Sequence, residues 1–346
     1  MNKRNLRLGL LAVLLPALAA PWASGQEAPV PNAADALKPQ PVKLAIDAFG
    51  KVAEIEVRDL PREPARMAIE EALREIHYVA AYTDSDGTAP GGFGQLNRTA
   101  GQGEQEVDRR AFDVLIRGLQ FCLWSGGVYS PLGGAVYGLW REQASPFPAD
   151  LAAAAASAGC RQVKIAGGEA GKPGKVILAA GSRLDGAGLA EGVALDRAAD
   201  LLVKSGVRNA LLSIGRLHRG IGLGPEGRGW LVDVPAIDTT APPVDQVWLV
   251  DQSLSVTRHD DPFRPLDLRS GQPIRGNLQV AAVAERAADA QGLTTTLFVL
   301  TQTKGQQHLG ALQPRPAVHW LTGLSGGAPV ESAYRWTSLS RPNSAQ

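Results

Sequence analysis

The stretch from Leu184 to Asp196, LDGAGLAEGVALD, constrains this chain more than any other. An aspartate closes an extended run, small residues follow, and a helix begins. Upstream, Val176–Ala180 is short, apolar and bounded by turn signals, which predicts a buried strand. Downstream, the periodicity predicts a helix over Leu189–Ser205, closed by Gly206. Asp200 and Lys204 are spaced and ordered as a helix ion pair. Gly186 and Gly188 let the backbone turn tightly and approach a ligand closely. A helix N-terminus offers N–H groups and partial positive charge to a phosphate, and Asp185 and Glu191 flank that end. The same pattern also serves a plain strand-to-helix turn.

The rest of the chain can support such a unit. It has 346 residues, 45% hydrophobic and 20% charged, which predicts a packed core in one large domain or two ordinary ones. Net charge is only +1, so the clustered basic footprint of a nucleic-acid binder is absent. Met1–Gly25 reads as a secretory signal peptide: a basic start, an apolar run over Leu8–Ala20, then small residues. That run is too short for a membrane span, and no other stretch reaches the roughly 20 apolar residues required. The expectation is export to a bacterial periplasm, with residues 26–41 as a flexible leader and 338–346 as a polar tail. An oxidising compartment permits a disulfide between Cys122 and Cys160, and two buried free thiols are the alternative.

Val42–Val57 alternates apolar and polar residues around Phe49-Gly50-Lys51 and reads as a strand pair. Pro64–Tyr82 reads as a helix with Met67, Ala68, Ala72, Leu73, Ile76, Val79 and Ala80 on its apolar face, followed by a loop over Thr83–Gly94. Asp108–Ser125 reads as a second helix, its stripe formed by Phe112, Leu115, Ile116, Leu119 and Leu123. The exit Ser125–Pro131 either holds a planar ring between Gly127 and Tyr129 or simply stops the helix. Asn209–Ile214 is a strand ending at Gly215-Arg216. Gly222–Gly227 matches G-x-G-x-x-G, but Pro225 sits inside it and no helix follows, so it reads as a hairpin into Trp230–Val234. His259-Asp260-Asp261 either binds a cation or forms a solvated loop. Ala287–Leu300 is a helix carrying Gln291 and Thr294–Thr296, for a polar role or for small-residue packing. There is no Gly-x-Ser-x-Gly elbow, His-Glu-x-x-His or Walker loop.

In order along Val42–Trp336, these stations resemble the FAD:protein FMN transferase (ApbE) family. Tyr82 with Asp84-Ser85 and then Leu96-Asn97 is similar to its acidic loop ending in Leu-Asn. Ser125–Pro131 through Leu139-Trp140 is similar to its Ser-x-Gly-x-Phe-Asp-Pro stretch. Leu184–Asp196 is similar to its strand-to-helix signature, Asp267–Pro273 to its Asp-Pro-x-Thr-Gly-x-Pro, and Ala287–Val299 to its Ala-Asp-x-Leu-x-Thr helix. The resemblance implies an α+β fold, a single large domain of mixed sheets and packed helices over residues 42–337. It implies FAD as substrate, Mg2+, and FMN transfer to Ser or Thr of a periplasmic target. Diphosphate cleavage needs a cation on its oxygens, and hard oxygen ligands suit magnesium. Carried over, Asp185 and Glu191 would be catalytic. Tyr82, Asn97, Gly127, Val128, Tyr129, Asp185, Glu191, Arg216 and Asp267 would contact the flavin nucleotide. Gly188 (through its backbone), Gln291 and Thr295 would bind the metal.

The departures cluster in this implied site. Gln291 stands where the family has a metal-binding Asp, and brings an oxygen without a charge. Asp289, two residues earlier, points off that helix face. Phe49-Gly50-Lys51 replaces Met-Gly-Thr, Arg216 enters the Gly-Gly turn, Arg264 replaces a His, Leu268 a Pro, and Ser130 an acid. Three readings follow: a working transferase with an altered metal site, a pseudoenzyme that binds flavin or a partner with Arg216 and Arg264 as fixed charges, and a structural protein without flavin.

Overall fold

The computed structural model describes residues 40–168, 172–261, 265–300, 302–323 and 329–337. The signal segment 1–25, all but the end of 26–41, Arg264 and the tail 338–346 lie outside them.

The described chain opens with a hairpin, β1 (Val42–Ala48) and β2 (Lys51–Val57). Its turn residues Phe49 and Gly50 both have positive φ, 55° and 69°, the conformation whose twist matches the flanking strands. α1 (Arg62–Thr83) buries Ala65, Ala68, Ile69, Ala72, Leu73, Ile76 and Val79, spaced by three and four to make one stripe. Met67 falls outside the phase of that stripe and is 65% exposed, against expectation. The loop that follows ends in a short helix, α2 (Phe93–Arg98), before β3 (Glu104–Val107). α3 (Arg109–Ser125) starts where the Asp108 carboxylate accepts the Arg110 N–H at 2.8 Å, and stops at Gly126 in the left-handed conformation. It buries Phe112 and Leu115. Its last turn packs Phe121 and Cys122 inward, which leaves Leu123 71% exposed and outside the expected stripe. Cys122 is bridged to Cys160, with Cα atoms 5.9 Å apart, so the bridged alternative holds over the free thiols.

α4 (Gly134–Glu142) and α5 (Pro148–Ser157) precede the strands β4 (Val163–Gly167) and β5 (Gly174–Leu178). β3, β5 and β4 form a small antiparallel sheet in that order. The predicted central helix is α6 (Ala190–Lys204). After it come β6 (Ala210–Ile214), β7 (Leu217–Ile221), β8 (Trp230–Val234), β9 (Asp245–Leu249) and β10 (Ser253–Arg258). Two two-residue strands, β11 (Leu266–Asp267) and β12 (Gln272–Pro273), pair with each other. β13 (Asn277–Ala284), α7 (Ala287–Val299), α8 (Gln302–Leu309), β14 (Ala317–Thr322) and β15 (Val330–Tyr334) complete the described chain.

The main sheet has eight antiparallel strands in the order β1-β2-β6-β7-β10-β13-β14-β15. α7 packs on β10 and β13, α6 packs on α7, and α1 packs on α6 and the β1–β2 hairpin. A ribbon of β8 and β9 covers the other face, where Trp230, Val232 and Val247 meet Leu254 and Val256 of β10. β10 is therefore buried on both faces along its length. Its alternation sends Leu254 and Val256 to the ribbon, and Ser255 and Thr257 to α7, where both meet the Thr294 hydroxyl at 2.9 and 3.0 Å. This is the α+β domain of mixed sheets and packed helices that the sequence implies.

Two local expectations are corrected. Gly222–Gly227 is a turn, but β8 pairs with β9 and not with β7. Both edges of β7 are already taken, by β6 and β10. Asp200 takes Arg286 at 3.0 and 3.1 Å instead of Lys204. The planar guanidinium matches a carboxylate with two parallel bonds, which a lysine cannot do.

Candidate functional site

A cleft of about 1040 Å³ opens where the β1–β2 turn, the end of α1, the entry to α6, the β6–β7 turn, β10 and α7 converge. That volume is at the upper end of small-molecule sites.

Its floor is the strand-to-helix turn. The Asp185 N–H donates to the Pro131 carbonyl at 2.9 Å, and its carboxylate accepts the Ala187 N–H at 2.8 Å. Asn97 pins the turn from outside. Its amide donates to the carbonyls of Ser85 and Leu184 at 2.9 and 3.0 Å and accepts the Leu184 N–H at 2.7 Å. Gly188 has φ +78°, a conformation open to glycine. Three of the N–H groups at this helix start are already taken. Ala190 donates to Gly186 O at 2.9 Å, Val193 to Leu189 O at 3.2 Å, and Gly192 to the Gln291 side-chain oxygen at 2.8 Å. What this helix end offers an anion is its dipole rather than an open cradle of amides.

α7 supplies the inner wall. Gln291 and Thr295 are four apart and share one helix face. Gln291 also donates to Glu191 at 3.3 Å, and the Thr295 hydroxyl donates to the Gly188 carbonyl at 3.1 Å. The structure thus brings Gly188, Gln291 and Thr295 together, the three positions implied for a metal. Their chemistry does not suit magnesium, which demands near-octahedral oxygen ligation and is usually held through carboxylates. The Gln291 oxygen is spent on Gly192, the Gly188 and Thr295 oxygens are bonded to each other, and all three are neutral. Glu191, beside them, is held by Lys51 Nζ at 2.7 Å. Asp289 is paired with Arg117 away from the cleft. Among the described residues no group of three His, Cys, Asp or Glu side chains could hold a metal ion. Asp260 and Asp261 of the His259-Asp260-Asp261 segment pair instead with Arg258 and Arg216.

The rim is basic side chains in ion pairs. Lys51 lies on Glu191, Arg141 reaches Asp185 at 3.5 Å, and Arg216 lies on Asp261. Burial lowers the Arg216 guanidinium pKa and nearby Arg258 lowers it further, and its Nε is buried without a partner.

Asp185, Gly188, Glu191, Arg216, Gln291 and Thr295 thus line one cleft, while six other candidates lie outside its walls. Tyr82 is half-buried with the Arg110 guanidinium 5.6 Å from its ring centre. Asn97 is committed to backbone. Val128 and Tyr129 are in the core, and Gly127, at φ +85°, faces Arg269. Burial, with Tyr137 and Asp185 nearby, pushes the Tyr129 phenol far above its ordinary pKa. Burial works to raise the Asp267 carboxyl, but Arg269, donating at 2.6, 2.9 and 3.0 Å, holds it below the usual range. Conversely, Lys51 and Arg141 join the cleft without being singled out as ligands by the sequence. Lys51 arrives only because β2 pairs with β6, which lays it beside the Gly215 turn. No local motif carries that information.

Comparison with known proteins matches residues 49–319 to the ApbE family. A FAD:protein FMN transferase of Treponema pallidum (strain Nichols) is 36% identical over 134 residues, 37% of each chain. One from Rhodobacter capsulatus is 28% identical over 175 residues, 48% of this chain and 32% of the relative. The matches therefore span about a third of each relative's length. The flavin transferase ApbE of Vibrio cholerae superposes with TM-score 0.71 at 19% identity, covering 86% of this chain and 97% of the other. The apo flavinyl transferase ApbE of Pseudomonas stutzeri gives 0.72 at 21%, covering 86% and 96%. At these identities the superpositions establish the fold.

Proposed function

Because this chain belongs to the ApbE family, we propose that its cleft binds FAD and that the protein acts as a FAD:protein FMN transferase, passing FMN to a Ser or Thr hydroxyl of a partner protein. The observation that carries this reading is the convergence of three separate stretches on one cleft: Asp185, Gly188 and Glu191 at the α6 entry, Arg216 at the β6–β7 turn, and Gln291 and Thr295 on α7. Export to the periplasm through Met1–Gly25 belongs to the same reading. The Cys122–Cys160 bridge supports it, since such bridges persist in oxidising compartments.

A second reading, flavin binding without turnover, is favoured by one observation. The oxygens at the implied metal position are engaged with protein groups, and no carboxylate there is free of a cation. Magnesium therefore has no part in the proposed binding. The test is titration of the purified chain with FAD, with product analysis for AMP in the presence of a hydroxyl-bearing acceptor peptide. FAD binding with AMP release and FMN esterified to the peptide hydroxyl establishes the transferase, whereas AMP with free FMN is hydrolysis. Binding without AMP establishes the second reading. No binding removes flavin from the account.

A further inference from the structure

The cleft is acidic for a site that is to receive a diphosphate. Its walls carry Asp47, Asp84, Asp86, Asp185, Glu191 and Asp261 against Lys51, Arg141 and Arg216. An anionic ligand entering it must be accompanied by a cation near the reacting end. The donor set at Gly188, Gln291 and Thr295 does not provide a place for a divalent one.

Lys51 fills this role by position. It starts β2, immediately after the tight Phe49–Gly50 turn, so its backbone is fixed by the sheet. Its ammonium lies 2.7 Å from Glu191 Oε1, and the other Glu191 oxygen accepts the Gln291 amide at 3.3 Å. The ammonium therefore sits one carboxylate away from the Gln291 and Gly188 group. The room for its stem is made by Gly215. A Cβ built there would lie 3.1 Å from the lysine Cδ, at φ +57°. A side chain at 215 would press on the lysine. Next to it, Arg216 lines the same cleft and has a buried Nε–H with no acceptor in the protein.

Resting on the flavin reading above, we propose that the Lys51 ammonium is the resident cation of this cleft: it stands in for a divalent ion, and the diphosphate of the flavin nucleotide binds it, with Arg216, without metal. On binding, the ammonium is shared between Glu191 and a phosphate oxygen. Lysine suits this as a compact charge with three donors. No bond is made or broken in this step.

The test is titration of the full chain with FAD in EDTA and in magnesium, for the wild type, Lys51→Met and Lys51→Arg. Circular dichroism confirms folding, which is secure because Lys51 is a solvent-exposed residue. The wild type is expected to bind equally in both buffers, within about twofold. Lys51→Met should bind ten- to a hundredfold more weakly in EDTA, the range for losing a charged hydrogen bond. Magnesium should restore part of that loss, because Glu191 is then left without its cation. Lys51→Arg should retain most of the affinity. That rescue by an added ion is a readout that a merely structural lysine would not give. Wild-type binding that requires magnesium overturns the resident cation and leaves the flavin reading intact. An unaffected Lys51→Met, or one that magnesium does not rescue, overturns it as well. No binding in either buffer overturns both.

Discussion

Two walls of the cleft handle polar groups in opposite ways. On the inner wall, where α6 meets α7, each polar side chain is spent on the protein. Gln291 and Thr295 hold the α6 entry. Behind that wall, Asp196 accepts the Ala287 and Ala288 N–H groups at 2.8 and 3.0 Å and so caps α7. On the outer rim, Lys51, Arg141 and Arg216 keep ion pairs at the edge of open space. A buried hydrogen bond is expensive to break because nothing replaces it, whereas water and ions replace a surface pair. The inner wall is therefore the part that fixes shape, and the rim is the part free to exchange partners.

Substitutions should separate the two. Asp196→Ala is expected to cost the most, about 4 kcal/mol in urea unfolding, because two buried N–H groups lose their acceptor. A loss below about 1 kcal/mol would mean that the inner wall is not the rigid one.

The next effect concerns the ribbon side of the sheet, remote from both walls. Burial lowers the His218 imidazole to about 4, with Asp233 and Glu54 opposing the shift. The unfolded chain takes up this proton below its usual pKa of 6.5, whereas the folded chain takes it up only near 4. Stability should hold above pH 7 and fall by up to about 3 kcal/mol as pH drops to 4. His218→Leu should flatten that slope while leaving FAD affinity at pH 7 unchanged.

Gln291→Leu should cost about 2 kcal/mol by leaving the Gly192 N–H unpaired. At the small end, Lys51→Met should change stability by less than about 0.5 kcal/mol, as an exposed pair does, while binding falls as described above. A large stability loss in thermal unfolding of this variant would place Lys51 with the inner wall instead.

Much of the scaffold is legible locally. The Asp108 cap, the Gly126 stop, the stripe of α1 and the strand-to-helix turn each rest on residues close in sequence, and local chemistry decides them. What stays hidden depends on partners far along the chain. Leu123 is apolar, and only the packed neighbours decide that it faces outward. The threonines of α7 read equally as a polar site or as packing. Thr294 turns out to serve the packing through β10, and Thr295 to grip Gly188. Arg286 draws Asp200 from 86 residues away. Lys51 reads as a mere departure from a motif until β2 is set against β6.

The pairing of β2 with β6 also sets an order of events. The hairpin that carries Lys51 is synthesised early, yet its neighbouring strand begins at Ala210, after α6 has been made. Contacts so distant in sequence form late, because closing the intervening loop costs entropy before any bond repays it. The cleft's cation therefore reaches Glu191 only when the sheet has closed around it. Ligand capture in this protein would serve as a checkpoint on completed assembly: the cleft gains its resident charge only once strands far apart in sequence have paired.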